Sequence, residues 1–108
     1  MPSRAVKHIV LIKFKDHMTD DQIKEVIDGY RALPGRIEAM KGFEWGTDVS
    51  VEGLSEGYTH CFVTTFENID GRNAYLPHPA HQAYVEKLLP CVDKLLVLDY
   101  HPQEVILD

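Results

Sequence analysis

The sequence predicts an α+β fold in which a four-stranded antiparallel sheet carries helices on one side. Three observations predict it. Four segments alternate with a period of two and are rich in β-branched and aromatic residues; two longer segments repeat apolar residues at spacings of three and four; and the two kinds follow one another as β-α-β-β-α-β. With 108 residues the chain has the length of one compact unit, so a single domain over residues 1–108 is expected.

The first strand runs from about Val6 to Phe14, with Val6, His8, Val10, Ile12 and Phe14 on one face and Ile9 and Leu11 on the other. Thr19 then caps a helix, and Gln22 three residues later completes a capping box. That helix carries Ile23, Val26, Ile27, Tyr30 and Leu33 as one stripe, and Pro34-Gly35 ends or kinks it. A second strand spans about Phe43 to Val49. After a loop containing Glu52, Gly53 and Gly57, a third spans Tyr58 to Glu67. Asn68 starts a short helical turn through Tyr75, Pro77-His78-Pro79 forces a break, and a second long helix runs from Pro79 to about Leu89. The last strand is Lys94 to Tyr100.

This order suits the ferredoxin-like arrangement, with strands one and three expected as parallel neighbours at the centre. Two helices cover only one face of such a sheet. On the other face lie Ile9 and Leu11 of the first strand, Cys61 and Val63 of the third, and one side of the apolar fourth strand. Left wet, that face would be a larger apolar patch than soluble proteins tolerate, so a homodimer with its two sheets packed face to face is expected.

Composition narrows the function. A net charge of −6 repels phosphate backbones and anionic lipid heads, which argues against nucleic acid and membrane partners. The apolar run Ile9–Ile12 is far too short to cross a bilayer. Cys61 and Cys91 lie in apolar segments and read as buried thiols in a reducing compartment, giving a cytoplasmic expectation. There is no Gly-rich phosphate loop, no GxSxG elbow and no CxxC. His78 and His81 stand three apart, but no carboxylate or thiolate completes a recognisable ligand set, so neither a metal nor a cofactor is expected.

Polar side chains on the apolar faces carry the remaining signal. His8 shares a face with Val10 and Ile12, and His60 with Phe62 and Phe66, so parallel strands would bring the two imidazoles to one height. His81 shares a helix stripe with Tyr84, Val85 and Leu88; Tyr30 faces inward from the first helix, and Tyr75 sits on the turn leading to His81. Each alone is readily a satisfied core residue. Together they suggest an apolar pocket with a few convergent polar groups.

The residues Val6-Lys7-His8, Phe14-Lys15-Asp16, Met40-Lys41, Trp45-Gly46-Thr47-Asp48, Gly57-Tyr58-Thr59-His60, Thr65-Phe66-Glu67, His78-Pro79-Ala80-His81 and Asp99-Tyr100 resemble the stress-responsive dimeric α+β barrel (Dabb) family over nearly the whole chain. The resemblance implies a ferredoxin-like dimer. Through the family's polyketide cyclases it implies a catalytic pair on His81 and Tyr75, with His8, His60 and Tyr30 lining a substrate pocket for a small β-dicarbonyl compound. Ring-forming stress proteins of the family are similar at the strand histidines and the tyrosine but lack the His-Pro-Ala-His run. Pro34-Gly35, Pro77 and Pro90-Cys91 depart from the cyclase pattern around the pocket. Two functions therefore stand side by side: a cofactor-independent cyclase or lyase with His81 as base, and a non-catalytic stress-responsive dimer or ring.

Overall fold

The computed structural model describes residues 4–107, so residues 1–3 and 108 of the expected 1–108 domain lie outside the described residues. Four strands form one sheet in the order β2-β3-β1-β4: β1 (Val6–Phe14), β2 (Met40–Thr47), β3 (His60–Phe66) and β4 (Val92–Tyr100). Helices α1 (Asp20–Ala32), α2 (Ile69–Tyr75) and α3 (Pro79–Leu88) connect them. The α+β, ferredoxin-like expectation holds. Among the described residues no helix is long and apolar enough to cross a membrane.

Local chemistry sets the element ends. The Thr19 hydroxyl accepts from the Gln22 amide at 3.2 Å and the Gln22 side chain accepts from the Thr19 amide at 2.9 Å, so the expected capping box forms. Past Ala32 the chain tightens into a 3₁₀ turn, Leu33–Gly35, whose Leu33 is buried. Strand β2 starts three residues earlier than its pattern suggests because an irregularity between Met40 and Gly42 lets it pair with Phe66 and Thr65. Gly42 lies so close to Thr65 that an added Cβ would meet the threonine Cβ at 3.3 Å. Beyond Thr47 one more backbone bond joins the Asp48 amide to the Thr59 carbonyl at 2.9 Å, and the Asp48 carboxylate then bends the chain away, accepting from the Ser50 amide at 2.9 Å and from the Ser55 hydroxyl at 2.6 Å. Tyr58, expected in β3, instead donates its amide to the Ser55 carbonyl at 3.0 Å, and left-handed Gly53 and Gly57 turn the chain between the strands.

One expectation is corrected. β1 and β3 are neighbours but antiparallel, with Ile12 opposite His60 and His8 opposite Thr64. The connectivity requires it: a helical crossover returns β2 parallel to β1, and the hairpin to β3 then reverses direction. His8 and His60 therefore stand four residues apart along the sheet, about 13 Å, on the same face but at opposite ends of it.

That face carries the core. Val6, Val10, Ile12 and Phe14 of β1 and Phe62 and Phe66 of β3 pack beneath Ile27 and Tyr30 of α1, Tyr75 of α2 and Leu88 of α3. Strict alternation then sends Ile9, Leu11, Cys61, Val63, Leu96 and Leu98 to the opposite, helix-free face, where Leu98 is 61% exposed.

Candidate functional site

Tyr75 and His81 meet because the helix between them is broken. Pro77 and Pro79 stop α2 from running into α3, and His78 becomes the N-cap of α3, its Nδ1 accepting from the Ala80 amide at 3.1 Å. In a continuous helix that amide would have bonded the Leu76 carbonyl. The carbonyl is instead taken by His81, whose Nδ1 lies 2.9 Å away. A carbonyl oxygen only accepts, so Nδ1 carries the hydrogen and Nε2 bears the lone pair in the neutral ring. The Tyr75 and His81 rings lie 4.1 Å apart at 38°.

Burial sets the charge states of this pair. It pushes the half-buried His81 below the ordinary imidazole range, against the opposing pull of the Leu76 bond, with His8 and His78 adding to the depression. It drives the Tyr75 phenol far upward, Tyr30 adding to the effect, so Tyr75 remains a hydroxyl donor at every working pH. A neutral imidazole with a free Nε2 thus stands beside a phenol that keeps its proton.

His8 reaches the same cluster from β1. It is 4% exposed, and its ring meets Tyr75 edge-on at 5.6 Å. Its Nδ1 lies 2.6 Å from Asp99 Oδ1, and the other oxygen of Asp99 accepts from Arg72 Nη1 at 2.6 Å. Burial alone would raise the Asp99 carboxyl, but the bonds and charges of Arg72 and His8 outweigh it and hold the group below the usual carboxylate range. Sequence motifs give no role to Asp99 or Arg72. Asp99 is nonetheless visible in the sequence as the carboxylate immediately after the run Leu95–Leu98, with the same parity as Leu95 and Val97.

Tyr30, 3% exposed on the sheet-facing side of α1, sets its hydroxyl against that of Tyr75 and stacks on Phe62 with ring centroids 4.8 Å apart. The fully buried Thr64 hydroxyl faces Tyr30 but makes no hydrogen bond of ordinary length and angle. His60 is not part of this group. It is half-buried at the far end of the sheet, edge-on to Phe14 at 5.0 Å and parallel to Trp45 at 6.3 Å, with Thr59 Oγ1 2.8 Å from its Nδ1.

The structure thus brings together Tyr75, His81, His8 and Tyr30 and leaves His60 apart. Aromatic rings fill much of the space around them. A cavity of about 630 Å³ lies on the helix-free face under the β2–β3 loop, with Leu11, Cys61, Val63 and Leu96 in its wall. A second, of about 570 Å³, lies between α1 and α3 and is lined by Val26, Gly29, Tyr84 and Leu88. Neither has Tyr75 or His81 in its wall.

Known proteins share this architecture. A stress-response A/B barrel domain-containing protein of Arabidopsis thaliana is 47% identical over 102 residues, 94% of each chain. Olivetolic acid cyclase of Cannabis sativa is 40% identical over 100 residues, 93% of this chain and 99% of the cyclase. The solved hydroxynitrile lyase of Passiflora edulis superimposes with a TM-score of 0.92 at 29% identity, covering 97% of this chain and 99% of the lyase. Further solved neighbours are described as dimeric with ferredoxin-like folds. The model of the stress responsive A/B barrel domain matches residues 6–102, and with these relatives it shows that the chain belongs to the Dabb family.

Proposed function

We propose that this protein is a cofactor-independent, cyclase-like enzyme that moves protons on a small β-dicarbonyl substrate, with His81 as general base and Tyr75 as hydrogen-bond donor. The supporting observation is the 4.1 Å approach of the two rings, with His81 Nδ1 tied to the Leu76 carbonyl. His81 Nε2 takes a proton from the methylene between two carbonyls. Tyr75 donates a hydrogen bond to the oxygen where negative charge develops. The enolate carbon then bonds to a second carbonyl of the same chain, and the resulting alkoxide recovers the proton from the His81 imidazolium. The olivetolic acid cyclase and hydroxynitrile lyase relatives favour this class, since cyclisation and cyanohydrin cleavage both make or break a carbon–carbon bond at a carbonyl.

His8 and Tyr30 contact the reacting end of the substrate, and His60, about 13 Å along the sheet, contacts the far end of an extended one. The protein acts as a homodimer joined through the helix-free sheet face, in a cytoplasm that keeps the half-buried Cys61 and Cys91 thiols reduced. His81→Ala is expected to lower conversion of a linear β-polyketone to its ring product by about 10²–10⁴-fold, with circular dichroism unchanged. Unaltered turnover overturns the base assignment.

The second reading, a non-catalytic stress-responsive dimer or ring, is favoured by the close packing of Tyr75, which is 1% exposed, and by the 47% identical stress-response relative. It predicts that His81→Ala leaves heat resistance intact and that no β-dicarbonyl compound raises the melting temperature.

A further inference from the structure

We propose that Tyr84 is a gating residue: its ring closes the way from the groove between α1 and α3 to the paired hydroxyls of Tyr30 and Tyr75, and opens it by leaving the Val26 carbonyl and turning into the groove. What passes, a small β-dicarbonyl compound bound for the Tyr75 hydroxyl, rests on the proposed function; the gate itself does not.

The groove, of about 570 Å³, stands one aromatic ring away from the buried hydroxyls. Tyr84 is half-buried and forms part of the groove wall beside Val26, Gly29 and Leu88. Its inner side meets Tyr30, with ring centroids 5.2 Å apart. Phe43 and Phe62 hold Tyr30 from the sheet at 4.9 and 4.8 Å, and neither of them borders the groove. Tyr30 in turn sets its hydroxyl against that of Tyr75. His81 is half-buried and already meets solvent, whereas Tyr30 and Tyr75 are sealed from it. A carbonyl that accepts from the Tyr75 hydroxyl therefore reaches it only after a ring has moved. Of the three rings packed on Tyr30 from β2, β3 and α3, Tyr84 alone has the groove to move into.

The ring has a latch and a seat. The latch is one hydrogen bond, in which the Tyr84 hydroxyl donates to the Val26 carbonyl at 2.8 Å. Val26 lies inside α1, where its carbonyl also serves the Tyr30 amide in the regular helical ladder, so releasing Tyr84 leaves no orphaned acceptor. The freed phenol finds water in the groove. Burial pushes the Tyr84 phenol up from its ordinary range, so it keeps the proton that the latch uses. The seat is Gly29, in the interior of α1, where glycine is a poor helix former. A Cβ at this position would meet the Tyr84 ring at 3.0 and 3.4 Å, and the missing side chain gives the closed ring its place against α1.

The test is hydroxyl-radical footprinting of the full-length protein without substrate, read residue by residue by mass spectrometry. Tyr30 and Tyr75 are expected to label slowly in the unsubstituted chain. Tyr84→Phe removes the latch, a loss of one net hydrogen bond, and should raise labelling of both by about fivefold. Gly29→Ala crowds the closed ring and should raise both as well. Phe14, buried at the other end of the core, is the internal reference and should not change. Faster labelling of Tyr30 and Tyr75 in both variants with Phe14 constant supports the gate. Unaltered labelling in either variant, or a rise that Phe14 shares, overturns it. Should one variant not fold, the other decides on the same terms. Because the readout needs no turnover, unaltered activity in His81→Ala would sink the enzyme reading and leave the gate standing, and a failed footprint would leave the His81 assignment untouched.

Discussion

Val63→Lys places an ammonium at the centre of the helix-free sheet face and tests whether that face joins two copies. Val63 sits in register between Ile9 of β1 and Glu44 of β2, with Leu11, Leu96 and Leu98 on the same surface. In a two-fold dimer each substitution is felt twice. Losing the burial of one valine costs about 1.5 kcal/mol, so the pair costs about 3 kcal/mol, or roughly 10²-fold in Kd. Desolvating two ammonium groups adds several kcal/mol more, bringing the expected weakening to at least about 10³-fold. The isolated fold should survive, because the new side chain stands opposite Glu44 and reaches solvent from a half-buried site. Sedimentation velocity over a concentration series reads the result, with circular dichroism reporting the fold. A V63K protein that keeps the mass and Kd of the unsubstituted dimer would refute the assignment of this face as the interface.

Two further outcomes follow from groups in the helix-side core. Thr64→Val removes a buried hydroxyl that has no hydrogen-bond partner while keeping its shape, so urea denaturation should show stability unchanged or raised by about 1 kcal/mol; a loss of that size would mean the hydroxyl is satisfied after all. Acidification should weaken the fold in two separate windows. His60 and His81 take up protons less readily folded than unfolded, so their contribution is complete above about pH 6.5 and is lost as pH falls through their lowered values; Asp99 contributes above about pH 4 and is lost below that. A urea midpoint that rises between pH 7.5 and 5.5 would contradict the first window. On the proposed chemistry, turnover is likewise flat at neutral pH and falls only once His81 begins to take up a proton.

Element types are legible in the sequence because burial imposes its period directly on the residues. The β1 alternation Val6, His8, Val10, Ile12, Phe14 is the buried set of that strand, and the Thr19–Gln22 box starts α1. Strand direction is not written in any single strand's alternation, since a period of two looks the same from either end. The antiparallel pairing of β1 and β3 follows from the connections, and a parallel pairing wrongly makes neighbours of His8 and His60. Strand ends are obscured by side-chain competition, as where Asp48 binds the Ser50 amide and Ser55 hydroxyl and bends the chain away before the expected end of β2 at Val49. The approach of Tyr75 to His81 is legible from family likeness rather than periodicity, because the proline break resets the helical phase between them. Asp99 carries a visible parity but no visible partner, since Arg72 lies 27 residues away on another element.

The interruption between α2 and α3 has a consequence for anyone redesigning this chain. Replacing Pro77 and Pro79 with good helix formers would look like routine stabilisation, and the resulting single rod could satisfy every thermal assay. It would also reclaim the Leu76 oxygen for the main chain, and the imidazole at position 81 would be free to swivel and to switch which nitrogen holds its hydrogen. The orientation and tautomer of that ring are thus stored in the backbone, and a sequence edit that touches no polar side chain could erase them.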